Sequence, residues 1–226
     1  MGSIKNNIQE ISEDIKKYSP CPEKVKLVAV TKYVGTEEMT DVLASGVNIV
    51  GENRVQVLKD KKEKFDQSEL GSKIKWHFIG NLQKNKVKYI SDYIELIHSV
   101  NKLSLAKEIN KRAEATDRII EVLLEINIAG EESKEGYKIE KLYKELPEIL
   151  KLKNIKVTGL MTMAPFTEDT DLVRRIFREL RKLKDDLSRD YFQGELKELS
   201  MGMSGDYKIA LEEGATLIRI GSKIFS

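Results

Sequence analysis

Eight short apolar runs punctuate the chain, each giving way to a longer charged stretch, and this alternation leaves few folds open. The runs are "VKLVAVTK" (25–32), "VNIVG" (47–51), "IKWHFIG" (74–80), "YIELIHSV" (93–100), "IIEVLLEINI" (119–128), "IKVTGLMTM" (155–163), "LKELSMG" (196–202) and "ATLIRIG" (215–221). Each is bounded by glycine, asparagine or charged residues, the signature of a short strand. The clearest helical stretch covers 169–189, where Leu172, Ile176, Leu180, Leu183 and Leu187 recur at steps of three or four. Arg174, Arg178 and Arg181 occupy its other side, which is expected to be a solvated face. Strands alternating with helices argue for a parallel sheet with crossover helices. Eight such units in 226 residues predict an α/β fold, a single-domain (β/α)8 TIM barrel over 1–226. An open doubly wound sheet would want a glycine-rich nucleotide loop after its first strand; "TKYVGTEEM" is not one, and GxxxxGK[ST] is absent. Too little chain follows the eighth run for a closing helix, so a helix over 3–18 is expected to cover that gap.

Charge narrows the partners. Lysine and arginine number 39 against 37 acidic residues, so composition gives no pull towards nucleic acid or an anionic membrane. The single Cys21 lies between Pro20 and Pro22, cannot form an internal disulfide, and suits a reducing compartment. The first 18 residues hold no apolar signal core, and no apolar run reaches the length of a membrane span. "MGSIKN" begins like a myristoylation site, but Asn6 stands where serine or threonine is wanted. A cytoplasmic protein is expected. "YFQG" at 191–194 looks like a protease-tag scar, yet it lies mid-chain and is read as native.

The first run ends on Thr31 and Lys32 rather than on another apolar residue. Barrel closure makes the first strand a neighbour of the eighth, which adjoins the seventh. Active sites of such barrels lie at the C-terminal ends of the strands, with phosphate commonly bound after strands seven and eight. Those ends read "SMGMSGD", with Ser200, Gly202, Ser204 and Gly205, and "RIGSKIF", with Arg219, Gly221 and Ser222. Small residues ahead of a helix at 205–213 offer exposed N–H groups and close backbone approach, the ingredients of an anion nest. A lysine partly desolvated at such a mouth can be a neutral nucleophile towards an aldehyde and form a Schiff base. An aldehyde carrying its own phosphate fits the pair: pyridoxal 5′-phosphate, or a phosphosugar. A merely structural lysine is the remaining reading.

The ordered set "AVTKY", "GENRVQ", "WHFIGNLQKNKVK", "HSV", "NIAGEESKEG", "GLMTMAP", "LSMGMSGDYKIALEEGAT" and "RIGSKIF" resembles the pyridoxal phosphate homeostasis family over residues 25–225. "HFIGNLQKNK" and "LSMGMSGD" are the most specific of these. The resemblance implies one barrel similar to the N-terminal domain of alanine racemase, binding pyridoxal 5′-phosphate without established turnover. It implies that Lys32 carries the cofactor and that Asn53 lies beside it. It places Ser200, the Met201 and Gly202 backbone, Gly221 and Ser222 at the phosphate, and Arg219 at either the ring nitrogen or the phosphate. Ser222 stands where threonine is also common, and Ser226 where the family usually has glycine.

Plainer roles stand beside these. Asn53 is a candidate cap for a helix over 53–66, and His77 and His98, near the ends of strands three and four, more often pack than bind. Met161, Met163, Met201 and Met203 read as core or pocket wall, and "GEESKEG" (130–136) as a solvated loop at the same mouth. Two histidines and one cysteine, far apart, make no metal site. Racemisation needs an acid–base group on each face of the substrate, and racemase-like enzymes draw one from a second domain that this chain is not expected to supply. The expected function is therefore cofactor storage, buffering or delivery, with a racemase or related enzyme as the alternative and a phosphosugar aldolase behind it. Expected partners are pyridoxal 5′-phosphate and the apo forms of enzymes that use it, with no nucleic acid, no membrane, and a monomeric chain.

Overall fold

A computed structural model describes residues 3–131 and 135–226. Eight strands, β1 (Lys26–Val30), β2 (Ile49–Glu52), β3 (Lys75–Phe78), β4 (Leu96–Val100), β5 (Ile120–Glu125), β6 (Ile155–Met161), β7 (Glu198–Ser200) and β8 (Leu217–Ile220), form a closed barrel in sequence order. Every pairing is parallel, and β1 closes on β8 with Val28 opposite Arg219 and Ala29 opposite Ile220. The (β/α)8 barrel expected from the alternating runs is the fold. Each strand is shorter than its apolar run: in β1, β3 and β5 to β8 the run continues into the loop that leaves the barrel, in β4 it starts in the loop that enters it, and β2 reaches one residue past its run to Glu52. The first stops at Val30, leaving Thr31 and Lys32 beyond it.

Alternation along each strand sorts side chains to two faces. Outward residues such as Val50, Trp76, Phe78, Ile97, Val122, Leu160 and Ile218 join the main core beneath the helices. Inward, Val28, Leu96, Leu123, Met161 and Leu217, with Ile49, form a separate apolar plug. Each buried aliphatic side chain contributes about 1.5–3 kcal/mol of burial free energy. The ladder shifts register between Ile97 and Val100 and again between Val122 and Leu123, irregularities of the kind that re-aim side chains beside sites.

Helices α1 (Ile4–Tyr18), α2 (Thr36–Ala44), α3 (Val55–Phe65), α4 (Leu103–Ala115), α5 (Ile139–Ile149), α6 (Thr170–Tyr191), α7 (Tyr207–Glu212) and α8 (Ser222–Phe225) surround the strands. In α6 the residues Val173, Ile176, Phe177, Leu180, Leu183 and Leu187 are buried, and Asp169 caps its start by accepting from the Leu172 amide at 2.9 Å. Its arginine face is not wholly solvated: Arg174, Arg178 and Arg181 converge on Glu213 just after α7, whose side chain is buried. Ser3 caps α1, which packs on α2, α7 and α8, and Asn7 Nδ2 donates to the Ile224 carbonyl at 2.9 Å. No helix among the described residues is long and apolar enough to cross a membrane. Because all eight strands run the same way, the loops that follow them share one rim.

Candidate functional site

Lys32 stands on that rim in the turn after β1, where the Val34 amide donates to the Thr31 carbonyl at 3.1 Å. Its side chain is exposed, with Nζ 4.9 Å from the centre of the Tyr33 ring. The partly desolvated amine expected at this position is therefore not found in the chain alone: exposure leaves Lys32 in water. What is buried is the anchor beneath it. Glu52 at the end of β2 is 0 % exposed; its Oε1 accepts from Lys61 Nζ at 2.6 Å and from the Thr31 hydroxyl. Lys61, on α3, also donates to the Thr31 carbonyl at 2.6 Å. The residue preceding Lys32 is thus tied to both β2 and α3. Glu52 Oε2 has no hydrogen-bond partner.

Asn53 does not cap a helix. The capping position of α3 falls on Arg54, and no side chain caps it. Asn53 lies one residue earlier, half-buried, its backbone so close to Gly80 that a Cβ there would meet the Asn53 carbonyl oxygen at 2.2 Å.

Beyond β7 and β8 the backbone takes over. Gly202 has φ of +90°, and a Cβ on it would lie 2.5 Å from the Ala210 Cβ; this is a position for glycine alone. Gly221 presses on β1, where a Cβ would meet the Cβ and carbonyl oxygen of Val30 at 3.3 Å. Among the described residues, the amides of Gly202, Ser204, Gly221 and Ser222 donate to no protein acceptor. The Met201 amide is not available in this way, since it donates to the Leu217 carbonyl at 3.2 Å, and the Met201 side chain is in the main core. The amides left without a protein acceptor are therefore those of two glycines and the serines near them.

Below the rim, a polar layer fills the barrel above the apolar plug. Arg219, 4 % exposed, donates from Nη1 to Ser200 Oγ and from Nη2 to the Thr162 carbonyl at 3.1 Å. Ser200 Oγ lies 2.8 Å from His98 Nδ1, and His98 Nε2 lies 2.9 Å from His77 Nδ1. Burial pushes the Arg219 guanidinium down to about 10, against the pull of Asp206 and Glu125. It pushes His77 down to about 3, helped by Lys26 and Lys75, and His98 well below its ordinary range, helped by His77 and Arg219. Glu125, at the end of β5, is raised to about 7 by burial and by Glu135, with Arg219 opposing. Glu135 accepts from Asn81 and Asn101, at 3.0 and 2.9 Å. The rest of the expected solvated loop at 130–136 is described in part, since 132–134 lie outside the described residues.

Eight residues were singled out as a site in the sequence. Lys32, Gly202, Gly221 and Ser222 come together on the rim, Asn53 stands after the neighbouring strand, and Ser200 and Arg219 lie in the layer below. Glu52, Lys61, Glu125 and Thr162 were missed. A carboxylate at the end of an apolar strand was the available signal for Glu52 and Glu125; nothing local marks Lys61 or Thr162.

Residues 1–226 match the family described as alanine racemase, N-terminal domain. The chain is 41% identical over 225 residues to the pyridoxal phosphate homeostasis protein of Aquifex aeolicus, covering 100% of this chain and 95% of that one. The chain belongs to the pyridoxal phosphate homeostasis family. Another member, from Synechocystis, is 36% identical over 204 residues, covering 90% of this chain and 92% of its own length. PipY of Synechococcus elongatus, solved with PLP bound, superposes with a TM-score of 0.89 at 29% identity, over 99% of this chain and 100% of that chain. An alanine racemase of Clostridium difficile shares the fold at a TM-score of 0.76 and 15% identity, but this chain covers only 59% of it.

Proposed function

We propose that the protein binds pyridoxal 5′-phosphate at the barrel rim and serves cofactor homeostasis by storing, buffering or delivering it. One observation carries the reading: Gly221 packs against Val30, bringing a cradle of free amides to the strand end two residues before Lys32. The residues suit the group. Gly202, Gly221 and Ser222 would receive the phosphate, for which a Cβ at either glycine would leave less room, and Lys32 would hold the aldehyde end. When bound, the cofactor supplies an aldehyde that condenses with a lysine amine with loss of water, the Schiff base expected at Lys32. Arg219 keeps its charge at neutral pH in the layer beneath, and Asn53 stands after the strand next to that of Lys32. Relatives named for homeostasis, and matched over nearly their whole length, support the reading further.

In this reading the protein is not an enzyme. It has Lys32 on one side of the site and no second acid–base group assigned to the other, so turnover of amino acids is negligible. Apo-enzymes that use the cofactor are its recipients, in the cytoplasm, from a monomeric carrier. The test is to load the full chain with pyridoxal 5′-phosphate, reduce with borohydride, and map the modified peptide. Label on Lys32, lost in Lys32→Ala while the fold persists, is the expected result. Label mainly on Lys84, Lys86 or Lys223 would overturn the assignment.

A further inference from the structure

The free amides at the rim can receive a phosphate only while the two loops that carry them keep their shape, and neither loop leads into an element able to hold itself. Beyond Ser204 comes α7, six residues long, and beyond Gly221 comes α8, four residues long. Helices so short are not stable on their own. The far end of α7 is held by the arginines that converge on Glu213. Its near end is held by α1. Tyr207, the first residue of α7, is buried, and its hydroxyl donates to Oδ2 of Asp14, an α1 residue only 8 % exposed. Lys208 Nζ reaches the same oxygen at 3.1 Å. Burial pushes the Asp14 carboxyl up, yet the bonds from Tyr207 and Lys208 outweigh it and hold the group below its ordinary range. Tyr207 also stands behind Gly202, where a Cβ would lie 3.0 Å from the Tyr207 Cα. The β8 side has matching ties. Asn7 Nδ2 of α1 donates to the Ile224 carbonyl at 2.9 Å, and Glu10 pairs with Lys223 Nζ at 2.7 Å. The Lys223 amide donates to Ser204 Oγ at 3.3 Å, which joins the two loops to each other.

We propose that α1 is a brace for the phosphate-binding loops, with Asp14 and Tyr207 as positioning residues on the β7 side and Asn7 and Glu10 on the β8 side. The proposal rests on the cofactor site described above. None of the four is among the residues that would receive the phosphate; each acts through the loop it ties down. A cradle of backbone amides gives its full affinity only when the amides already point together, because ordering them at the moment of binding costs part of the gain. α1 supplies that order in advance. Its apolar residues Ile8 and Ile11 are anchored in the core, so the polar ties along its flank are in place before a ligand arrives. When a tie is lost, the loop it held spends part of its time displaced, and apparent affinity falls with the fraction of molecules still docked. That loss falls on ligands carrying the phosphate and spares those without it, since Lys32 hangs on a separate anchor, Glu52 and Lys61 beneath Thr31. Selectivity for the phosphate is thereby set from a helix outside the barrel.

Two variants of the full chain test the brace from its two sides. Tyr207→Phe keeps the ring packed and removes only the hydroxyl, and Asn7→Ala removes the tie to α8. Ile109→Val is the control: this buried residue of α4 lies on the opposite side of the barrel, so its loss lowers stability without touching α1 or either loop. Dissociation constants for pyridoxal 5′-phosphate and for pyridoxal are measured by visible absorbance, and amide exchange at Ser204 and Ser222 is followed in the free protein. In each variant the phosphate form should bind about three- to tenfold more weakly while pyridoxal changes by less than about twofold. Exchange should quicken at Ser204 in Tyr207→Phe and at Ser222 in Asn7→Ala. Ile109→Val should match the parent in both readouts. If one variant does not fold, the other makes the same comparison on its own loop. A parent that prefers the phosphate form, with that preference intact in a folded variant or equally eroded in Ile109→Val, would overturn the brace and leave the cofactor site standing. A parent that binds the two forms equally would overturn the site and the brace together.

Discussion

Replacing Lys61 by methionine tests the anchor under Lys32. The substitution keeps the length and apolar stem of the side chain and removes one charge. Glu52 would then be a carboxylate with no exposure, one oxygen already unpartnered, and only the Thr31 hydroxyl still donating to it. Stripping one partner from a buried ion pair costs about 3–5 kcal/mol, because the surviving charge is left uncompensated. At a urea slope of about 2 kcal/mol/M, the unfolding midpoint should drop by about 1.5–2.5 M. The Glu52→Gln/Lys61→Met double variant removes the charge itself and should recover most of that loss. Urea titrations of the two variants and the parent, followed by tryptophan fluorescence, measure both. Because Lys61 also holds the Thr31 carbonyl, amide exchange at Tyr33 and Val34 should quicken in the single variant. A loss under about 1 kcal/mol for Lys61→Met, or a double variant no more stable than it, would refute the reasoning.

Three further outcomes follow from the same geometry. Gly202→Ala should cost about 2–5 kcal/mol, from a left-handed backbone plus a Cβ driven into Ala210, and should weaken pyridoxal 5′-phosphate more than pyridoxal, as equilibrium dialysis would show. Glu125 is raised to about 7, so the folded state binds a proton that the unfolded state has released between the ordinary carboxylate range and neutrality; stability from this group is present at low pH and lost as pH rises through about 7. Glu125→Gln should therefore be more stable than the parent at about pH 8, with the gain shrinking below about pH 5 in denaturant titrations. Incubated with L-amino acids in heavy water, the loaded protein should give negligible D-enantiomer, whereas turnover abolished by Lys32→Ala would favour a racemase.

Periodicity made the barrel legible, since a parallel sheet buried on both faces needs near-continuous apolar strands and amphipathic helices between them. Strand ends were not legible: 119–128 shrinks to Ile120–Glu125 because Ile126 and Ile128 are as apolar in the departing loop as in the ladder. Rim residues could be found because glycine-rich and serine-rich turns announce backbone that approaches a ligand. Ser200 and Arg219 of the layer beneath were found as well, but its contacts were not, because they join distant parts of the sequence, His98 to Ser200 across 102 positions and Arg219 to Thr162 across 57. The plainer role open to Asn53, a helix cap, suits its residue type but is not filled; the helix begins two residues further on, and Arg54 takes that position.

The seam between β1 and β8 has a consequence for synthesis. Lys26 to Ala29 find their partners in Leu217 to Ile220, and Asn7 finds its acceptor at Ile224, so early-made residues wait for much later ones. At about 5–20 residues per second, the edge of β1 stays open on the ribosome for on the order of ten seconds or more, a template for unwanted pairing throughout that time. Neither the cradle nor the turn carrying Lys32 has its wall until the eighth strand docks. In the proposed reading, ligand capture therefore follows closure of the β1–β8 seam, and the cofactor does not act as a nucleus for folding.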